Sequence, residues 1–316
     1  MAGLTLHDKM SLSRAEKPNL VIGAVRGYGF EQLRPFVVSL QRTTFPGDLV
    51  LLWNDLSAET LAALHQHGVK LEHFSYRGSG ALNSWSRFWP QIGRLLRLPV
   101  GNPVRAAVYK KILNLAFVRY LHALDFLEAN AGRYRNVLLT DVRDVIFQDN
   151  PFRDPLPGEM VAFLESPHMV YGLEPMNDGW ILENYGAEMK AKLQENRISC
   201  CGTVMGAVAG MIEYLRAFVS EIVKLKSVEH GADTSVHNVL VRDTLKNQIT
   251  VIDNFERIVG TVNPKSELTM GISGLVLGAN GQPIPVLHQY DRLPDLASRL
   301  IQQLSFSEMS RISHAS

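Results

Sequence analysis

The stretch that decides the fold is Asn136–Phe152, NVLLTDVRDVIFQDNPF. Val137–Thr140 reads as an apolar strand, the pattern of a strand covered on both faces of a parallel sheet. It delivers Asp141, Arg143 and Asp144 to its C-terminal end. Open α/β sheets bind their ligands just beyond that end of their strands. Two carboxylates converging there suit a hard divalent cation, Mn2+ or Mg2+, whose shell substrate phosphates complete. The same residues also suit a plain solvated turn in which Arg143 pairs an aspartate.

Working outward toward the N-terminus, Asn19–Val25 (NLVIGAV) is a second continuous apolar run, punctuated by Gly27 and Gly29. From Phe30 to Thr43 the period becomes helical, with Leu33, Phe36, Val37 and Leu40 on one face. Leu49–Trp53 is a further strand, Ser57 caps a short helix over Ala58–His67, and Val69–Tyr76 is a third strand. This β-α-β-α-β order is half of a doubly wound nucleotide-binding sheet. Residues 77–103, with Trp85 and Trp89, read as a long irregular connection suited to a lid or an acceptor-side segment. A long helix is expected from about Ala106 to Ala129.

Toward the C-terminus, Met160–Leu164 is a strand and Ser199–Val208 carries glycines among short apolar residues. Met211–Lys226 and Asp233–Leu245 read as amphipathic helices, and Ile249–Ile252, Leu275–Leu277 and Val286–His288 as strands. The expected organisation is a loose segment over 1–17, one α/β domain over 18–304 and a frayed tail over 305–316. Within the domain, 18–150 is the expected nucleotide-binding half and 151–304 the acceptor-side half.

The 316 residues carry 32 basic and 31 acidic side chains, so the net basic excess of a nucleic-acid binder is missing. The cysteines, Cys200 and Cys201, are adjacent and form neither a disulfide framework nor a zinc site alone. The longest uncharged run, Ile198–Ile212, is short and glycine-rich, so no transmembrane segment is expected. The start has no apolar core of a signal peptide, and a cytoplasmic enzyme, at most peripheral at a membrane surface, is the expectation.

Asn136–Phe152 resembles the DxD region of GT-A glycosyltransferases: apolar strand, acidic pair, apolar run, then Asp-x-Pro-Phe. The resemblance, distant and to glycogenin-like and related families, extends in one order over much of the chain. It implies a GT-A-like, Rossmann-like α/β fold, with a mixed, mostly parallel sheet and helices on both faces. It also implies sugar transfer from a UDP- or GDP-type nucleotide sugar to a glycan or other hydroxyl acceptor. Asp144 takes the place of the second aspartate, and Asp141 lies one residue early, giving DxxD with Arg143 between. The implied metal ligands are Asp141, Asp144 and the late His288 of Val286–Arg292 (VLHQYDR). Gly23–Thr43 resembles the first strand and helix of the family. Arg26, Asn54, Asp55, Lys111, Asp141, Arg143 and Arg292 are the implied nucleotide and diphosphate contacts. Cys201–Gly206 resembles an Asn-Ser-Gly sugar-lining stretch in which the first two residues are replaced. Asp233 keeps the acidic position of an "Asp-Gln" helix start and is the candidate catalytic or acceptor-orienting carboxylate. A helix N-cap is the simpler role for it.

Four other readings stay open. A non-catalytic GT-A-like scaffold would explain the altered motifs. A dehydrogenase has Gly27-x-Gly29 in its favour but finds Gln32 at the third glycine position. An aspartate phosphatase would need DxD early in the chain, and a nucleotidyltransferase a richer glycine and basic loop.

Overall fold

Leu20, Val21 and Ile22 are all inaccessible to solvent. Leu20 and Ile22 join one apolar cluster and Val21 joins another, so the strand that holds them is covered on both faces. The computed structural model describes residues 17–76, 110, 113–222 and 224–314. Its elements in chain order begin with β1 (Leu20–Arg26), α1 (Phe30–Arg42), β2 (Asp48–Asn54), α2 (Ala58–Gln66), β3 (Lys70–His73) and α3 (Leu115–Ala129). Next come β4 (Asn136–Thr140), β5 (Val145–Phe147), β6 (Met160–Leu164), α4 (Pro175–Tyr185), α5 (Ala187–Leu193), β7 (Ser199–Ala207) and α6 (Val208–Ile222). The chain continues through α7 (Asp233–Val239), β8 (Ile249–Ile252), β9 (Val259–Thr261), β10 (Thr269–Met270), β11 (Val276–Leu277), β12 (Val286–His288) and α8 (Pro294–His314).

The central sheet has seven strands in the order β3-β2-β1-β4-β7-β6-β8. All its pairs are parallel except those of β7, which runs antiparallel to both β4 and β6. The reversed β7 makes the sheet mixed rather than wholly parallel. Helices cover both faces. Phe117, Val118, Met211 and Phe218 of α3 and α6 fill one side, and Leu33, Phe36, Val37 and Leu64 of α1 and α2 the other. A small sheet, β5-β12-β9, stands against the C-terminal ends and shares a third cluster with Leu296 and Leu300 of α8.

Several expectations change. Asn114 is extended (φ −66°, ψ 163°), so α3 begins at Leu115 and no continuous helix runs from Ala106. Its side-chain amide instead donates to the Val228 carbonyl at 2.5 Å. The helix expected over Asp233–Leu245 is α-helical only to Val239 and closes with a π-helical turn over Leu240–Thr244. The third strand shortens to Lys70–His73, and the helix expected over Met211–Lys226 is Val208–Ile222. β5 and β9 were not read as strands, because three-residue strands carry almost no periodicity. The helix α8 spans the backbone as far as His314. Ser57 does cap α2, its hydroxyl accepting from the Thr60 amide at 3.1 Å. Segments 1–16 and 77–103, with Trp85 and Trp89, lie outside the described residues.

Candidate active site

Two strand pairings assemble the acidic centre. β12 pairs antiparallel with β5 so that His288 lies opposite Val145, the residue after Asp144. β4 pairs with β7 so that Thr140 lies opposite Thr203, and the Asp141 amide donates to the Gly202 carbonyl at 2.7 Å. His288 Nε2 then sits 3.4 Å from Asp141 Oδ2 and 3.9 Å from Asp144 Oδ2. One ligand atom from each of the three residues falls within a 4.8 Å group. The imidazole is 1% exposed, its Nδ1 lies 3.2 Å from Cys200 Sγ, and its buried Nε2 has no hydrogen-bond partner. Gly202 is required here: a Cβ would lie 2.6 Å from Asp141 Oδ2 and 2.7 Å from His288 Nε2. Two carboxylates and an orphaned imidazole nitrogen fit a divalent cation. Burial alone would pull the His288 pKa down, but Cys200, Asp144 and Glu165 outweigh it and hold the group up, at about 9. A metal must therefore displace a proton to reach Nε2.

Arg119 of α3 is the principal residue that sequence reading missed. Its guanidinium donates to Asp141, to Asp233 Oδ2 at 3.0 Å and to the Tyr120 hydroxyl at 2.9 Å. The available signal was a lone arginine within the apolar first turns of the helix, LAFVRYL, a group that needs a buried anion. Asp233 is 2% exposed and does not cap α7, whose N-cap is Ala232. It accepts from Arg119, and Cys201 Sγ lies 3.6 Å from the same oxygen.

These groups open into a cleft of about 650 Å³. Asp141, Arg143, Asp144, Asp233 and Arg292 all line it, together with Arg119, Glu165 and Trp180. Arg143 is half-extended into solvent and bonds Asp291 at 3.0 Å, with Asp144 at 3.9 Å. Arg26, Asn54 and Asp55 gather instead at the ends of β1 and β2, outside that lining. Arg26 lies over the Tyr76 ring, 4.9 Å from its centroid, and 3.9 Å from Asp55; Asn54 donates to the Phe74 carbonyl. Lys111 lies outside the described residues, and neighbouring Lys110 pairs with Asp125. Burial raises the Glu165 carboxyl to about 7, partly offset by His288 and Arg292 and reinforced by Glu174. Among the described residues, no helix is long and apolar enough to cross a membrane.

No protein-family model and no curated protein matches the chain. Solved structures do resemble it. An apo structure of WbbM, a bifunctional glycosyltransferase, superposes with a TM-score of 0.48 at 13% identity over 77% of this chain. The chain spans 40% of that protein's length. An active-site mutant of LgtC gives 0.47 at 13% identity, with 85% of this chain and 86% of that one covered. Core-mannan synthase A from Aspergillus fumigatus, in an Mn/GDP form, gives 0.42 at 13% identity, covering 75% of this chain and 73% of that one. These likenesses are remote. The strand order with its single reversed strand, and the small sheet that returns His288 to the strand-end aspartates, give the chain a mixed, mostly parallel α/β fold with helices on both faces.

Proposed function

We propose that the protein transfers a sugar from a nucleoside-diphosphate sugar to an acceptor hydroxyl. The observation that carries this reading is the Asp141–Asp144–His288 group, with its unpartnered buried Nε2, whose two aspartates line a cleft beyond the C-terminal end of β4. Asp141, Asp144 and His288 would hold Mn2+ or Mg2+. When bound, the ion supplies positive charge against the diphosphate as the leaving group gains negative charge.

The chain's own residues then divide the work. Arg119 fixes Asp141 from behind, and Asp233 fixes Arg119, so the acidic centre is held in place before ligand arrives. Arg143 and Arg292, on the cleft wall, are placed to pair phosphate oxygens. Arg26, Asn54 and Asp55 stand at the ends of β1 and β2, where the base and ribose of a nucleotide would extend.

The test is thermal denaturation with UDP, GDP, CMP or dTDP, each with Mn2+ or EDTA, because a ligand of the folded state raises its melting temperature. One nucleoside diphosphate should stabilise the protein in Mn2+ and not in EDTA. Asp144→Ala should remove that shift while leaving the ligand-free melting temperature unchanged to within a few degrees. Arg119 already places a cation on Asp141, so an equal shift in EDTA would assign charge neutralisation to the arginines instead. No shift with any nucleotide would overturn the reading.

A further inference from the structure

Five carboxylates line the cleft: Asp141, Asp144, Glu165, Glu174 and Asp233. Three are committed. Asp141 and Asp233 bind Arg119, and Asp144 lies between Arg143 and His288. Glu165 and Glu174 make no side-chain hydrogen bond or ion pair with any described residue. Glu174 belongs to the turn entering α4. Glu165 follows β6 directly, and its backbone is clamped on both sides: its amide donates to the Ile198 carbonyl at 2.9 Å and its carbonyl accepts from Arg197 at 2.6 Å. A strand-rooted carboxylate holds its position better than one on a turn.

Resting on the sugar-transfer reading above, we propose that Glu165 is the catalytic base that takes the proton of the acceptor hydroxyl. As the acceptor oxygen bonds the anomeric carbon, the bond from that carbon to the diphosphate oxygen breaks. The nucleoside diphosphate departs with the electron pair, and the acceptor proton passes to a Glu165 carboxylate oxygen. Asp233 is less suited to this step, because it is buried and spent on Arg119. Glu165 instead lines the cleft from the end of β6, two strands from β4 in the sheet. The charged groups that face it are His288 of β12, Glu174 before α4, and Arg292 in the turn before α8.

The experiment uses the full chain with UDP-glucose, UDP-galactose and GDP-mannose in Mn2+, and water as the acceptor. Nucleoside diphosphate release is measured for wild type, Glu165→Gln and Glu165→Asp, alongside nucleoside diphosphate affinity and melting temperature. Glu165→Gln should lose roughly 100-fold or more in kcat. Its nucleoside diphosphate affinity and melting temperature should stay at wild-type level. Glu165→Asp should recover part of the rate. A Gln variant within threefold of wild type, or a covalent glycosyl adduct on Glu165, would overturn the proposal while leaving sugar transfer standing. A wild type that neither binds a nucleoside diphosphate nor consumes any donor would remove the sugar-transfer reading, and this inference with it.

Discussion

Two histidines in this molecule are equally buried and opposite in character. His237 of α7 is 0% exposed and His288 of β12 is 1% exposed. Both are reached from β7, by adjacent residues: Ser199 turns to one face of the sheet and Cys200 to the other. On the first face, His237 is satisfied at both nitrogens, by the Tyr214 hydroxyl at 2.7 Å and by Ser199 Oγ at 2.9 Å. Asn238 completes that network with two bonds to the Ser199 backbone. Burial and two nearby arginines, Arg119 and Arg242, push the His237 pKa down to about 3, so it stays neutral. On the second face, His288 has one nitrogen near Cys200 and the other aimed, without a partner, at two carboxylates. Burial therefore does not separate a structural histidine from a site histidine; completion of its hydrogen bonds does.

The sharpest way to break this contrast is His237→Ala. It orphans the Tyr214 hydroxyl and Ser199 Oγ in the core, and urea unfolding should show a loss of about 2–4 kcal/mol. Any Mn2+-dependent nucleotide shift should persist in the folded protein. A large loss of binding with little loss of stability would reverse the assignment.

The same residue predicts an acid limb. Its folded pKa lies below its unfolded value, so the unfolded chain binds more protons between about pH 6.5 and 3. Stability from the neutral ring is fully present above the unfolded value and is lost as pH falls through the folded one. His237→Ala should flatten the slope of stability over that window by at most about 1.4 kcal/mol per pH unit. An unchanged slope, measured by urea titration at several pH values, would show that His237 protonation is not coupled to folding.

Gly202→Ala tests the other face. The added Cβ meets Asp141 and His288, so Mn2+-strengthened nucleotide affinity should fall roughly 10-fold or more. Because the His237 network lies across the sheet, most of the fold's stability should remain. Calorimetric titration in Mn2+ and in EDTA separates the two effects. The smallest effect is expected from Arg143→Ala. Its pairs with Asp291 and Asp144 are near solvent, so its stability cost should stay below about 1 kcal/mol. Chelation-resistant nucleotide binding that vanishes in this variant would move the site's positive charge onto Arg143.

The sequence by itself determined the N-terminal β-α-β-α-β order and the strand that delivers Asp141 and Asp144, while His288 entered only through the resemblance to a known family. The order and the strand are local properties. Uninterrupted apolar runs report strands covered on both faces, and a carboxylate just beyond such a run must lie at the sheet's edge. What the tertiary structure decided is who meets whom. The 143 residues of chain between Asp144 and His288 are closed by three-residue strands too short to show a period. Their register alone brings the imidazole to the aspartates. Arg119 was equally hidden, because an arginine's partner is fixed by packing, not by spacing along its helix. Asp233 changed weight, and Glu165, which the sequence did not single out, entered for the same reason. As sequence both are acids beside an apolar run, and only the folded chain shows that one is bound to a buried cation and the other is not. Local chemistry is written along the chain, but the completion of hydrogen bonds and ion pairs depends on distance in space.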